Sequence, residues 1–149
     1  MKTSGSKGFH IVVPIVADRA SRPIGGTAGF GHVSGFAHAV GTTLVTRDPA
    51  HLTQEFSKAD RGGRILVDTG RNGYSATFAA AYAVRARPGA PVSAPCTWEE
   101  LERGEVGPRT FTLRTMAARI AGVGDVWSAM RTRARSLRGP MARVQRMKP

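Results

Sequence analysis

The stretch Arg61-Gly-Gly-Arg-Ile-Leu-Val-Asp68 does most to limit how this chain folds, because a short apolar run there ends on a carboxylate. A run of this length bounded by turn formers predicts a strand over 64–68, with Asp68 projecting from a sheet. Seventeen residues after Asp68, Arg85-Ala-Arg87 sets two arginines two positions apart, just before Pro88-Gly-Ala-Pro91. On an extended strand that spacing puts Arg85 and Arg87 on one face with Ala83, and Tyr82, Val84 and Ala86 on the other. A carboxylate able to hold a metal, with guanidinium groups near it, is suited to a nucleoside triphosphate.

The remaining pattern predicts a mixed α and β chain. Residues 9–16, Phe-His-Ile-Val-Val-Pro-Ile-Val, predict a first strand, and the glycine-rich residues 17–32 a flexible connection. Phe30, Val33, Phe36, Val40 and Leu44 recur at helical spacing and predict a helix over 31–46, weakened by Gly31, Gly35 and Gly41 at up to about 1 kcal/mol each. His51 to Lys58 predicts one or two further helical turns. Gly70-Arg-Asn-Gly73 predicts a hairpin turn joining strands 64–68 and 75–87. Pro88, Pro91 and Pro95 argue against further ladder pairing. Thr97-Trp-Glu-Glu100 has the form of a capping box at the head of a helix ending near Gly104. Thr110 to Thr115 alternates like a strand, Met116 to Val123 reads as a helix stopped by Gly122 or Gly124, and Asp125 to Met130 starts a last helix. Residues 131–149 carry seven basic side chains and no acid, a solvated basic extension that either touches nucleic acid or is a linker.

Charge narrows the partner class. Twenty-two Lys and Arg against ten Asp and Glu give +12, an excess that favours a polyanion whose neutralised phosphates release counterions. The plain alternative is a soluble arginine-rich protein. One cysteine, Cys96, excludes an internal disulfide and a cysteine-cluster zinc site. It reads as a small, partly buried residue at a helix head. No apolar run approaches the roughly 20 residues of a membrane span, and the N-terminus lacks the order of a signal peptide. A cytoplasmic, nucleoid-associated location is expected.

Each candidate residue also has an ordinary reading. Asp68 alone would be a strand-end or turn aspartate; Lys58, Arg61, Arg64, Arg71, Arg85 and Arg87 nearby give it a charged setting suited to phosphate. Thr3-Ser-Gly-Ser-Lys-Gly-Phe-His10 is not a Walker loop, but its glycine-flanked turn can offer amides, hydroxyls and Lys7 to phosphate oxygens. His10 alone would be a half-buried strand histidine. His32, His38 and His51 have no metal-ligand spacing. No two of the five aspartates, Asp18, Asp48, Asp60, Asp68 and Asp125, stand two apart. Glu100 and Glu102 do, on an exposed helix. Two divalent ions usually need several shared acids.

Taken in order, three blocks resemble the polymerase domain of bacterial DNA ligase D, in the archaeo-eukaryotic primase superfamily. They are Thr3 to His10, Phe56-Ser-Lys-Ala-Asp-Arg-Gly-Gly-Arg-Ile-Leu-Val-Asp68, and Tyr82-Ala-Val-Arg-Ala-Arg-Pro-Gly-Ala-Pro-Val-Ser93. Trp98 to Leu101 and Phe111 to Thr115 continue the resemblance, which covers about residues 2 to 138. It implies an α+β fold with a mixed, mainly antiparallel sheet and flanking helices, as a primase-like half-domain over 1–138 and a basic tail over 139–149. It implies that Ser4, Lys7 and His10 bind the incoming nucleotide's phosphates. Asp68 would be the third metal-binding acid and the catalytic one present, with Mg²⁺ or Mn²⁺ as cofactor. Lys58, Arg61, Arg71, Arg85 and Arg87 would contact triphosphate and primer-template phosphates. The implied function is nucleotidyl transfer to broken DNA ends in non-homologous end joining, with DNA, nucleoside triphosphates and a ligase domain or end-joining factors as partners.

The sequence departs from the family pattern in one respect that matters chemically. The family's Asp-x-Asp pair lies upstream of the Ser-x-His motif, and this chain starts at that motif. Met1-Lys-Thr-Ser is similar to an internal stretch of a longer protein, so the expectation is a start within a larger or degraded reading frame, without efficient two-metal catalysis by this chain alone. Three readings follow: part of a polymerase domain completed by upstream sequence, a remnant that binds nucleotide or DNA without catalysis, or a small basic nucleic-acid-binding protein. Uncovered sheet faces predict self-association.

Overall fold

The computed structural model describes residues 1–16 and 28–147; the expected connection over 17–32 lies largely outside them. The chain divides into two compact units, one of residues 1–14 and 78–134, the other of 15–77 and 135–149.

The first unit is built on short antiparallel pairs. Strand β1 (Lys2–Thr3) pairs with β2 (Phe9–His10), Lys2 opposite His10 and Thr3 opposite Phe9. Strand β5 (Ala83–Val84) pairs with β6 (Val92–Ser93). An antiparallel bridge between Lys2 and Pro95, with the Thr3 amide donating to the Ala94 carbonyl at 2.9 Å, joins β1 to the β6 segment. Residues 91–96 are all buried, and Val92, Ala94, Cys96, Val106, Phe111 and Met116 form the core, with Met1, Phe9 and Tyr82 against it. The prolines therefore do not end pairing here. Pro91 and Pro95 flank β6 at positions where no ladder N–H is needed, while the Pro91 carbonyl accepts from the Arg85 amide at 2.8 Å.

Helix α2 (Trp98–Glu102) starts at the expected capping box. The Glu100 amide donates to Thr97 Oγ1 at 3.2 Å and the Thr97 amide to Glu100 Oε2 at 2.8 Å. Helix α3 (Leu113–Val123) replaces the strand expected over 110–115 and ends on Gly124, whose φ of 71° suits glycine. The Thr112 amide donates to Thr115 Oγ1 at 3.0 Å, which turns the alternating Thr-Leu-Arg-Thr segment into a helix start. Only Thr112 keeps a strand-like contact, a bridge to Pro91. The last helix expected over 125–130 is instead a run of turns leading to a 3₁₀ turn at Arg131–Arg133.

The second unit holds α1 (Ala28–Arg47), longer than the expected 31–46. Strands β3 (Leu52–Thr53) and β4 (Ile65–Leu66) pair in parallel, so residues 51–58 are not the expected helical turns. A 3₁₀ turn at Ala59–Arg61 lies between them. Residues 138–146 of the basic C-terminal stretch form helix α4 (Arg138–Arg146), which packs on α1. The first strand expected over 9–16 is shorter than foreseen: Ile15 bridges Arg135 in the second unit, and only Phe9–His10 pairs in the first.

Candidate functional site

In the first unit the Ser4–Gly8 turn closes the β1–β2 hairpin. The Ser4 amide donates to the Gly8 carbonyl at 2.9 Å, and Ser4 Oγ accepts from the amides of Ser6 and Gly8, each at 3.1 Å. Both lone pairs of the hydroxyl are thereby occupied, leaving its proton to be donated. Gly5 adopts φ +63°, and a Cβ there would stand 2.5 Å from Arg85 Cγ, so only glycine lets the turn and the Arg85 side chain lie this close. Lys7 is exposed. The turn is also held from outside by Arg109, whose Nε donates to the Ser6 carbonyl at 2.8 Å, a contact that no sequence pattern announced.

Arg85 and Arg87 do not share a strand face. Strand β5 stops at Val84, the Arg87 amide donates to the Arg85 carbonyl at 2.8 Å, and the Ala90 amide returns to the Arg87 carbonyl at 2.9 Å. The chain thus curls tightly ahead of Pro88, with Arg85 half-buried at the base of the turn and Arg87 exposed on it. Both still border one open, polar surface formed by Val84 to Arg87.

Behind the turn lies a buried polar cluster centred on Lys2. Lys2 is fully buried; its Nζ is 2.7 Å from His10 Nδ1, donates to Ser93 Oγ, and sits 5.4 Å from the Phe78 ring centre. The His10 ring meets Phe78 edge to face at 5.6 Å. Burial first, and then the Arg85 charge, push the Lys2 ammonium down to about 8. Sequence reasoning missed Lys2 and Ser93. Lys2 becomes visible only once the hairpin register is known, because it is the cross-strand partner of His10.

In the second unit Asp68 follows β4 as expected, but the hairpin after it does not form. Asp68 Oδ1 accepts from the Gly70 amide at 3.0 Å, and Gly70–Asn72 is a 3₁₀ turn. An aspartate that bonds its own backbone two residues on starts a turn rather than a ladder. Asp68 Oδ2 lies 3.9 Å from Arg71 Nε, both side chains being largely exposed. An open depression of about 330 Å³ is lined by His38, Gln54, Phe56, Asp68, Gly70 and Arg71, among others. Arg61 is occupied locally: its guanidinium donates to the carbonyls of Glu55 at 3.0 Å and Phe56 at 2.7 Å, folding the loop that carries exposed Lys58. Ser4, Lys7, His10, Arg85 and Arg87 therefore share one unit, and Lys58, Arg61, Asp68 and Arg71 the other.

The fold is that of a polymerase domain. The chain matches the polymerase domain from Mycobacterium tuberculosis ligase D in complex with DNA with a TM-score of 0.64 and 30% identity, over 70% of this chain and 36% of that one. Residues 1–127 match the family described as LigD, primase-polymerase domain, and the chain belongs to that family. It is 35% identical over 130 residues to the multifunctional non-homologous end joining protein LigD of Pseudomonas aeruginosa, covering 86% of this chain and 14% of that protein. It is equally 35% identical over 124 residues to the multifunctional non-homologous end joining DNA repair protein LigD of Mycobacterium tuberculosis H37Rv, covering 83% of this chain and 15% of that protein. The chain thus spans about one seventh of these relatives' length. Among the described residues no helix is long and apolar enough to cross a membrane.

Proposed function

We propose that this chain binds nucleotide and DNA-end phosphates as part of an end-joining primase-polymerase. The approach of the Ser4–Gly8 turn to Arg85 across Gly5 carries the reading. The side chain of Arg85 lies against the turn that carries the Ser4 hydroxyl and exposed Lys7, and hydroxyl, ammonium and guanidinium donors are what triphosphate oxygens require. Arg87 extends that set. The DNA in the M. tuberculosis neighbour and the +12 charge support a DNA end as the second partner.

Asp68 fits one oxygen position of a hard cation: Oδ1 is taken by the Gly70 amide, while Oδ2 faces the exposed side near Arg71. Mg²⁺ or Mn²⁺ there would be completed by water and phosphate oxygens and would neutralise phosphate charge. We assign exposed Lys58 and Arg71 to phosphates in this unit, together with Arg61, which also holds its own loop through Nε and Nη2.

Calorimetric titration of the chain with a nucleoside triphosphate, with and without Mg²⁺, tests the reading. Metal-dependent strengthening that disappears in Asp68→Ala is expected; strengthening that survives in Asp68→Ala contradicts the assignment of Asp68. A second reading, binding without catalysis, is favoured by the described residues, in which no three His, Cys, Asp or Glu side chains gather. Labelled-nucleotide addition to a primer end separates the two: incorporation supports the polymerase, and binding with no incorporation supports the binder.

A further inference from the structure

The charge pattern of residues 131–149 leaves two readings open, a nucleic-acid contact and a linker. The structure folds nine of these residues into α4 (Arg138–Arg146), docked on α1 in the second unit. At 3.6 residues per turn, Leu137, Met141 and Val144 fall within an arc of about 60°, and Arg138, Arg143 and Arg146 within about 140° on the other side. Burial follows the same division: Leu137 is buried, Met141 and Val144 are partly buried, and the three arginines are exposed. Sorting of this kind belongs to a docked helix, not to a linker.

Nothing within the unit accounts for the three charges. Among the described residues none of the three arginines is paired with a carboxylate, and neither α1 nor residues 131–149 contain an Asp or Glu. Arg143 and Arg146 suit the last turn of a helix. Arg138 does not suit the first, where a cation opposes the helix dipole and no acid offsets it. The only other residues within the basic arc are Gly139 and Ala142, so this face has no large apolar side chain for a lipid surface to bury. Its three guanidinium groups extend over roughly 12 Å of helix axis, and duplex DNA presents one phosphate charge per about 1.7 Å. We propose that the basic face of α4 is a contact for the phosphate backbone of duplex DNA, independent of base sequence. The proposal rests on the reading that a DNA end is a partner of this chain, and it assigns α4 to the duplex rather than to the nucleotide.

Fluorescence anisotropy of a short labelled duplex, titrated with the full chain over a range of salt concentrations, tests the contact. The variant is Arg138→Gln/Arg143→Gln/Arg146→Gln, since glutamine keeps helix propensity and removes the charge; circular dichroism checks its fold. Three lost phosphate contacts should make the slope of log affinity against log salt shallower by about 2 to 3, with triphosphate affinity unchanged. A control with the same loss of charge at other exposed arginines, Arg103→Gln/Arg114→Gln/Arg133→Gln, should keep a slope within about one of the wild type. An unaltered slope in the α4 variant would overturn the proposal while leaving DNA as a partner. So would an equal change in the control, which would show that net charge alone is read. A wild type that does not bind the duplex at low salt would remove both the α4 contact and the DNA reading. Wild-type duplex binding that depends on α4, without triphosphate binding, would instead remove the nucleotide reading and support the contact. Binding to phosphatidylserine vesicles that needs these arginines, with no change in duplex slope, would assign the face to a membrane and overturn the proposal.

Discussion

Glu100 caps α2 through the Thr97 amide and also holds Arg119, whose Nη1 and Nη2 donate to its two carboxylate oxygens at 2.7 and 3.0 Å. Arg119 in turn donates to the Pro95 carbonyl at 3.0 Å and lies 4.0 Å from the Phe111 ring centre, so the pair ties α2 and α3 to the core strand. Glu100→Ala should cost about 2 to 3 kcal/mol in denaturant unfolding, because it leaves a largely buried guanidinium without its carboxylate. The Arg119 hydrogen bond, ahead of the other causes, holds the Glu100 carboxyl below its ordinary value of 4.5. The unfolded chain therefore takes up that proton first on acidification. The contribution is complete above 4.5 and falls away as pH drops through the folded value, so the stability gap between wild type and Glu100→Ala should narrow below pH 4.5. Gly5→Ala acts at the proposed site itself. The positive φ costs about 1 to 2 kcal/mol for an L side chain, and Arg85 must move aside, so triphosphate affinity should fall with the melting temperature. Retention of full affinity would show that the closeness of turn and arginine is incidental.

At the level of elements, the glycines of α1 separate local cost from packing need. Gly31 and Gly35 face open space, whereas a Cβ on Gly41 would lie 2.5 Å from Gln54 Nε2 and 3.0 Å from Thr69 Cγ2. Gly31→Ala and Gly35→Ala should each stabilise the chain by about 0.5 to 1 kcal/mol. Gly41→Ala should fail to do so, since its helix gain is offset by displacing the segment next to Asp68; thermal melts of the three variants decide it. Periodicity made α1 legible, and Thr97-Trp-Glu-Glu100 made α2 legible, because both signals are local. The strands were not. Among the described residues none of the paired segments exceeds two residues, too short for alternation to register, and Asp68, Thr115 and the Arg85 carbonyl each divert the backbone in ways that a period-2 pattern cannot foresee. The proline-flanked β6 is buried because of what pairs with it from ninety residues away, which no window of sequence contains.

For the whole molecule, family and fold class were legible because several short blocks recur in order, and such order survives where each element is weak. Which unit each site residue belongs to was not legible: Asp68 lies in the second unit and the Arg85–Arg87 pair in the first. Large apolar side chains remain exposed in both, including Ile11 and Leu113 in the first and Phe56, Ile65 and Tyr74 in the second. Self-association that rises with concentration is therefore expected in sedimentation or size-exclusion measurements. With a net charge of +12, duplex DNA affinity should fall steeply with salt, with a log–log slope near −0.9 for each phosphate neutralised. Central to the proposed function is triphosphate binding by Arg85, whose side chain lies against Gly5, and by Arg87 on the turn that follows. Its most direct test is titration of a nucleoside triphosphate into wild type and Arg85→Ala/Arg87→Ala at one fixed salt concentration. Saturable binding that weakens about a hundredfold in a folded double variant is the predicted result. Equal affinity in the two proteins, or binding that never saturates and follows only salt, would contradict it.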